Sequence, residues 1–234
     1  MRAADEAIVL VGGLGTRLRS VVPDLPKPIA PVAGRPFLAH LLDQIAKAGL
    51  RRVILATGHL ADLIEQAIGR QWAGMQISYS REDRPLGTGG AIRLAATQLH
   101  GDGVHVLNGD TFLRYDLRRL ERLVDVAGVP LGMALAHVPD VGRYGAVEVA
   151  SGRVVAFHEK GGHAAGLINA GSYFLSTAGV AMLPTSPSYS FESGVLPAWA
   201  AAGQVVALDD TRDFIDIGVP EDYARAHSLL GPSA

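Results

Sequence analysis

A strand, a glycine turn, an arginine and a lysine, in that order, suit phosphate chemistry, and the stretch from Leu10 to Pro36 supplies them in LVGGLGTRLRSVVPDLPKPIAPVAGRP. Gly12, Gly13 and Gly15 allow a tight turn whose N–H groups approach phosphate oxygens without Cβ interference. Arg17 and Lys27 add positive charge. By themselves, Gly12 to Gly15 are equally readable as a plain strand-to-helix turn. Two familiar phosphate loops do not fit. A dinucleotide fingerprint needs a third glycine where Leu18 stands, and a Walker A loop ends Gly-Lys-Ser/Thr where this one ends Thr16-Arg17-Leu18.

Ligands of open α/β sheets collect beyond the carboxyl ends of the strands, so polar residues directly after apolar strands carry the most weight. The run Val104-His105-Val106-Leu107-Asn108-Gly109-Asp110 ends this way. Gly109 permits a sharp turn that leaves the Asp110 carboxylate at the sheet rim, placed to hold Mg²⁺ against phosphate oxygens. An aspartate after a strand is also an ordinary turn residue. Asp216 closes the last strand candidate, in FIDIGVPEDY. Arg84 to Ala91, RPLGTGGA, is a second glycine loop ahead of a helix. Its N–H groups can meet a base edge or a hydroxyl, although any connection can use such residues. Glu159 and Lys160 suit sugar hydroxyls and a sugar phosphate, and equally a solvated charged pair at a strand end. None of the eight histidines pairs with another at metal spacing, so His59, His105, His137 and His158 read as structural or surface residues.

The elements that must position these groups alternate. Strand candidates at Ile8 to Val11, Val53 to Thr57, Ile77 to Tyr79, Val104 to Asn108 and Leu131 to His137 are separated by helical spacing. The helices fall at Phe37 to Ala48, Leu60 to Arg70, Ala91 to Leu99 and Leu117 to Val126. That pattern predicts a Rossmann-like, doubly wound, mostly parallel sheet. Shorter strands follow at Ala146 to Val149, Val154 to His158 and Ile168 to Leu175, with helices at Glu192 to Ala202 and Glu221 to Leu230. The expected organisation is one α/β domain over residues 1–234. A nucleotide-binding half covers about 1–137, and an acceptor lobe with the return to Asp216 covers about 138–234.

With 234 residues, of which 48% are hydrophobic, the chain can bury a full core. A net charge of -2 offers no broad basic surface, which argues against nucleic acid and favours a mononucleotide held locally. There is no cysteine, no apolar run long enough for a bilayer, and no signal-peptide pattern in MRAADEAIVL. The expectation is a cytoplasmic protein with no membrane partner. A homodimer is left open.

The run Gly12-Gly13-Leu14-Gly15-Thr16-Arg17-Leu18, followed by Pro26-Lys27-Pro28 and Pro31-Val32-Ala33-Gly34-Arg35-Pro36, resembles the signature GGxGTRLxP...PKPxxPVxGxP of the sugar-phosphate nucleotidyltransferases. It departs at Val11, where the family usually has Ala, and at Ser20, where Pro is common. The resemblance runs over nearly the whole chain, through RPLGTGGAI, LNGDTF, INAGSYFL, Ser190-Phe191-Glu192 and FIDIGVPEDY. Within the family it points to guanylyltransferases acting on D-glycero-α-D-manno-heptose 1-phosphate.

That resemblance implies transfer from GTP to the sugar 1-phosphate, giving GDP-heptose and pyrophosphate for a capsule or surface polysaccharide, with Mg²⁺ as cofactor. It implies Arg17, Lys27, Asp110 and Asp216 as catalytic residues, with the metal on Asp110 and Asp216. For the nucleotide it implies Leu10, Gly12, Gly13, Gly15, Thr16 and Arg17, then Glu82, Pro85, Gly87, Thr88 and Asn108. For the sugar phosphate it implies Tyr144, Gly145, Glu159, Lys160, Asn169 and Gly171. Uridylyl-, thymidylyl- and mannose-type relatives share most of these motifs and stand as alternatives. A catalytically silent sugar-nucleotide-binding subunit would be expected to lose one of Arg17, Lys27, Asp110 or Asp216, and all four are present.

Overall fold

Ile8 and Val9 are adjacent in sequence and fully buried, yet they belong to two different hydrophobic clusters. A strand whose alternate side chains are all buried is an interior strand covered on both faces. A computed structural model of the protein describes residues 3–13, 18, 21–23 and 25–231. The first half runs β1 (Glu6–Leu10), β2 (Pro31–Val32), β3 (Arg35–Pro36), α1 (Phe37–Lys47), β4 (Arg52–Thr57), α2 (Ala61–Ile68), β5 (Gln71–Trp72) and β6 (Met75–Arg81). It continues with α3 (Gly87–Ala96), β7 (Val104–Asn108), β8 (Thr111–Arg114), α4 (Leu117–Ala127) and β9 (Leu131–Val138). The second half runs β10 (Val147–Ala150), β11 (Arg153–Phe157), β12 (Gly166–Leu175), α5 (Thr177–Ala181), α6 (Phe191–Gly194), α7 (Leu196–Ala201), β13 (Val205–Leu208), β14 (Arg212–Asp216) and α8 (Pro220–Leu230).

The main sheet has the order β10-β11-β13-β9-β12-β7-β1-β4-β6-β5. Strands β1, β4, β6, β7, β9, β10 and β13 run one way, and β5, β11 and β12 run the other. The chain steps outward from β1 to β4 and β6, then returns to place β7 on the opposite side of β1. The order therefore reverses between β1 and β7, where an α/β sheet opens a crevice at its carboxyl edge. Side chains of α1 such as Phe37, Leu41 and Ile45 cover one face with Val9, Val53 and Leu55. Ile92 of α3, Phe191 of α6 and Trp199 of α7 cover the other with Ile8, Ile54 and Val106.

Several elements differ from the expectation, each for a local reason. Helix α3 starts at Gly87 rather than Ala91, because its first turn is glycine and threonine and shows no apolar period. The helix expected over 192–202 is two helices, α6 and α7, broken at Val195, with Pro197 in the first turn of α7, where a missing N–H is tolerated. Strand β13 was not expected, because its four residues are too few and too uniformly apolar to show a period. Strand β14 is not in the main sheet: it pairs antiparallel with β8, with Asp216 opposite Thr111. The second half forms no large sheet of its own, since β9, β12 and β13 continue the same sheet beyond β7. Among the described residues no helix is long and apolar enough to cross a membrane.

Candidate active site

A cleft of about 860 Å³ lies at the carboxyl ends of β1, β4, β6 and β7. Leu10 to Gly13 contribute from β1, Gly58 and His59 from β4, Arg81 to Pro85 from β6, and Asn108 and Asp110 from β7. Lys27, Gly87, Thr88 and Ala91 complete its walls. The paired ends of β1 and β7 approach closely: Leu10 is opposite Asn108, and the Gly109 N–H donates to the Leu10 carbonyl at 2.8 Å. A Cβ on Gly109 would sit 2.5 Å from a Val11 methyl and 2.7 Å from that carbonyl, so glycine is needed where the chain turns to Asp110.

Glu82 crosses the floor of the cleft. Its Oε2 accepts the Leu86 N–H at 3.1 Å, and its own N–H donates to the Thr57 carbonyl at 3.0 Å. Its Oε1 fills the space that a side chain at Gly58 would occupy, 2.7 Å from an added Cβ there and 3.3 Å from one at Gly12. Thr88 lines the cleft, but its hydroxyl donates to Glu192 and accepts the Phe191 N–H. Its hydroxyl proton is therefore not available to a ligand, which leaves its backbone N–H as the donor. Pro85 and Gly87 line the same wall.

Lys27, Asp110 and Asp216 converge although they come from distant parts of the chain. Lys27 lies in a buried 3-10 turn between Pro26 and Pro28, with Nζ 3.5 Å from Asp110 Oδ2. The Ile217 N–H donates to the Asp110 carbonyl at 3.0 Å, which brings the end of β14 against the end of β7. Asp216 Oδ1 accepts the Gly218 N–H at 2.8 Å. Burial first, and then the neighbouring Asp110 charge, push the Asp216 carboxyl above its ordinary range, while Gly218, Lys27 and Arg143 pull the other way. Two carboxylates driven together against their own repulsion fit a hard divalent cation, whose remaining ligands would be phosphate oxygens and water. No set of three or more His, Cys, Asp or Glu side chains that could hold a metal occurs among the described residues.

The residues expected to meet the sugar phosphate are placed unequally. Strand β12 bulges between Asn169 and Ser172 as it pairs with β9. At that bulge Gly171 adopts φ +64° with the Asn108 amide lying where a side chain would go. Asn169 accepts the Gly171 N–H at 2.9 Å and donates to the Tyr173 hydroxyl at 2.7 Å. Bulges of this kind re-aim side chains beside active sites. Tyr144 packs edge-on against Phe214 at 5.5 Å, with Arg143 over its ring at 5.1 Å. The Gly145 α-carbon lies tight against the His158 carbonyl, 2.5 Å from an added Cβ, which joins this corner to the loop after β11. Glu159 and Lys160, on that loop, are exposed, do not line the cleft and have no protein partner among the described residues.

Gly15, Thr16 and Arg17 lie outside the described residues. Two residues gain weight from the structure. His59, expected to be structural or on the surface, lines the cleft. Arg143 bonds to the buried Asp222 at 2.5 Å and its charge is felt at Asp216. Its position in RYG beside Tyr144 was the only signal for it. His105 is fully buried against Phe174, with Nε2 3.6 Å from Glu121 Oε2.

A mixed sheet with a nucleotide-sized crevice at its switch point, lined at one end by a lysine and a carboxylate with a second carboxylate behind it, is the framework of a nucleotidyl-transfer enzyme, and the chain belongs to the nucleotidyl transferase family, which it matches over residues 6–231. It is 42% identical over 226 residues to the D-glycero-α-D-manno-heptose 1-phosphate guanylyltransferase of Aneurinibacillus thermoaerophilus, covering 96% of this chain and 98% of that protein. It is 38% identical to the enzyme of that name from Campylobacter jejuni, over 93% of this chain and 96% of the other. The crystal structure of HddC from Yersinia pseudotuberculosis complexed with GMP-PN superposes with a TM-score of 0.84 at 34% identity, covering 96% of this chain and 99% of that one.

Proposed function

We propose that this protein is a guanylyltransferase that joins GTP to D-glycero-α-D-manno-heptose 1-phosphate. The observation that carries the reading is one cleft with Glu82 and the first turn of α3 at one end and Lys27 and Asp110 at the other, with Asp216 set against Asp110 just behind them. A sugar phosphate oxygen forms a bond to the α-phosphorus, the bond from that phosphorus to the β-phosphate oxygen breaks, and pyrophosphate departs. The attacking phosphate is already ionised, so no general base is required. The protein's task is to align two anions and neutralise them.

Lys27 bridges the α-phosphate and the incoming phosphate, and Arg17 with the amides of Gly12, Gly13, Gly15 and Thr16 holds the triphosphate. Asp110 and Asp216 hold a divalent cation, Mg²⁺, which when bound offsets charge on the α-phosphate. The Asn108 amide packs against the bare α-carbon of Gly171 at the junction of the nucleotide and sugar sides. Asn169 and Glu159 take sugar hydroxyls, Tyr144 and Gly145 shape that wall, and Lys160 reaches the sugar phosphate. The Gly87 and Thr88 N–H groups at the start of α3 meet the base edge, and the choice between bases follows from Glu82. A carboxylate accepts from both the N1–H and the N2 amino group of guanine, whereas uracil and thymine present one N–H flanked by carbonyl oxygens that would face it. The reaction is placed in the cytoplasm with its nucleotide substrate, and the GDP-heptose supplies a capsule or other surface polysaccharide.

Pyrophosphate release measured for each pairing of GTP, UTP, CTP and dTTP with heptose, mannose and glucose 1-phosphates tests this. GTP with the heptose phosphate should be best, with the mannose phosphate weaker because it lacks the extra hydroxymethyl group. Best activity with UTP or dTTP and glucose 1-phosphate overturns the substrate reading alone. Silence with every pairing returns the sugar-nucleotide-binding subunit.

A further inference from the structure

Ser190-Phe191-Glu192 takes no part in the chemistry above, yet it lies directly behind the loop proposed to read the base. Three glycines allow that approach. A Cβ on Gly89 would lie 2.0 Å from the Tyr189 ring, one on Gly90 would lie 2.6 Å from the Pro187 carbonyl oxygen, and one on Gly87 would lie 2.5 Å from the Tyr189 carbonyl oxygen. The first turn of α3 is rich in glycine because it lies flat on residues 187–190.

Backbone bonds stitch the two segments together. The Tyr189 N–H donates to the Leu86 carbonyl at 3.0 Å, and the Gly89 and Gly90 N–H groups donate to the Tyr189 carbonyl at 3.0 and 3.4 Å. One carboxylate oxygen then closes the junction: Glu192 Oε2 accepts the Thr88 hydroxyl and, at 3.1 Å, the Ser190 hydroxyl. The Phe191 N–H donates back to Thr88 Oγ1 at 2.9 Å. The Gly87 and Thr88 N–H groups at the start of α3 take no partner among the described residues, as expected of a first helical turn.

We infer that Glu192 is a positioning residue for the nucleotide: by taking the Thr88 and Ser190 hydroxyl protons it fixes the first turn of α3, so that the Gly87 and Thr88 N–H groups are presented to the base in one geometry. This rests on the nucleotidyl-transfer reading of the cleft. Hydrogen bonds to an ionised acceptor are the strong kind, and a single carboxylate here gathers the ends of two helices. A hydroxyl has only one proton to give, so Thr88 Oγ1 cannot also donate to the ligand, and the donor it offers there is its backbone N–H.

The test uses the full-length enzyme and its Glu192→Ala, Glu192→Gln and Thr88→Val variants. Amide hydrogen exchange over residues 87–90 is read beside the KM of whichever nucleotide the wild type uses best. Glu192→Ala should speed exchange of these amides by about tenfold or more and raise the nucleotide KM by about tenfold, with kcat changed less than about threefold. Glu192→Gln, which keeps one acceptor oxygen, should reverse most of both effects. Thr88→Val cuts the same bond from the other side and keeps the shape of the loop, so its KM should rise in parallel. Combining Thr88→Val with Glu192→Ala should add little.

Faster exchange with a nucleotide KM within twofold of wild type reduces Glu192 to a structural tie and overturns the inference. Unchanged exchange also overturns it, as does a normal KM in Thr88→Val should Glu192→Ala fail to fold. A wild type that prefers another base defeats the guanine assignment and leaves this test in force.

Discussion

Glu82 and Glu159 are both carboxylates just beyond the end of a strand, β6 in one case and β11 in the other, and their surroundings are opposite. Glu82 is tied to Leu86 and fills a recess shaped by the bare α-carbons of Gly12 and Gly58. Glu159 stands in solvent beside Lys160, with no partner among the described residues. The end of the cleft proposed to read the base is therefore preorganised by packing, and Glu159 and Lys160, proposed for the acceptor, are free side chains outside the cleft. Groups fixed in advance lose little freedom when ligand binds, whereas long exposed side chains must be ordered by it. Removing one interaction should accordingly cost more at the nucleotide and metal end than at the acceptor end.

The strongest way to break that contrast is Asp110→Asn, which should keep the fold and lower kcat by about 10² to 10³, the scale of removing one preorganised electrostatic contact. Turnover close to wild type with unaltered Mg²⁺ dependence would remove Asp110 from the site. Lys27→Ala comes next. Lys27 is buried and in place before substrate arrives, so kcat should fall by roughly 10 to 10², more than the KM for GTP rises. A change confined to the nucleotide KM would reassign Lys27 to ground-state binding.

Lys160→Ala should cost about tenfold in the KM for the sugar phosphate, the low end for a charge-assisted contact, and leave the GTP KM within about twofold. A defect as large as that of Lys27→Ala would mean the acceptor end is as well organised as the base end, and the contrast would fail.

The smallest effect tests how the nucleotide half is anchored beneath the site. Burial would push the Glu121 carboxyl up, but His105 at 3.6 Å, the Ala4 N–H at 2.7 Å and Arg118 at 2.9 Å together hold it down to about 2, from an ordinary 4.5. A carboxyl depressed in the folded state contributes stability that is complete above about 4.5 and is lost as the pH falls toward 2. Urea midpoints of wild type and Glu121→Gln should therefore differ at neutral pH and converge through that window. A gap independent of pH would show that the carboxylate charge is not what ties Ala4 to α4.

Much of this was readable from the letters because the informative groups are consecutive and directional. Gly-Asp after Val104 to Asn108 places a carboxylate at a strand end by chain geometry alone, and Pro26-Lys27-Pro28 pins a lysine in a turn by fixing φ on both sides. Short apolar runs at β1 and β4, alternating with segments of helical spacing, pointed to a sheet covered on both faces, and the two hydrophobic clusters on either side of these strands match it. The tertiary structure alone decided that β14 leaves the main sheet to pair with β8, which sets Asp216 against Asp110. It alone turned the Thr88 hydroxyl away toward Glu192, and bulged β12 so that Gly171 lies on Asn108. These meetings join residues far apart in the chain, and they are governed by packing and by which polar groups remain unpaired after the sheet has formed. Local propensity carries no trace of them.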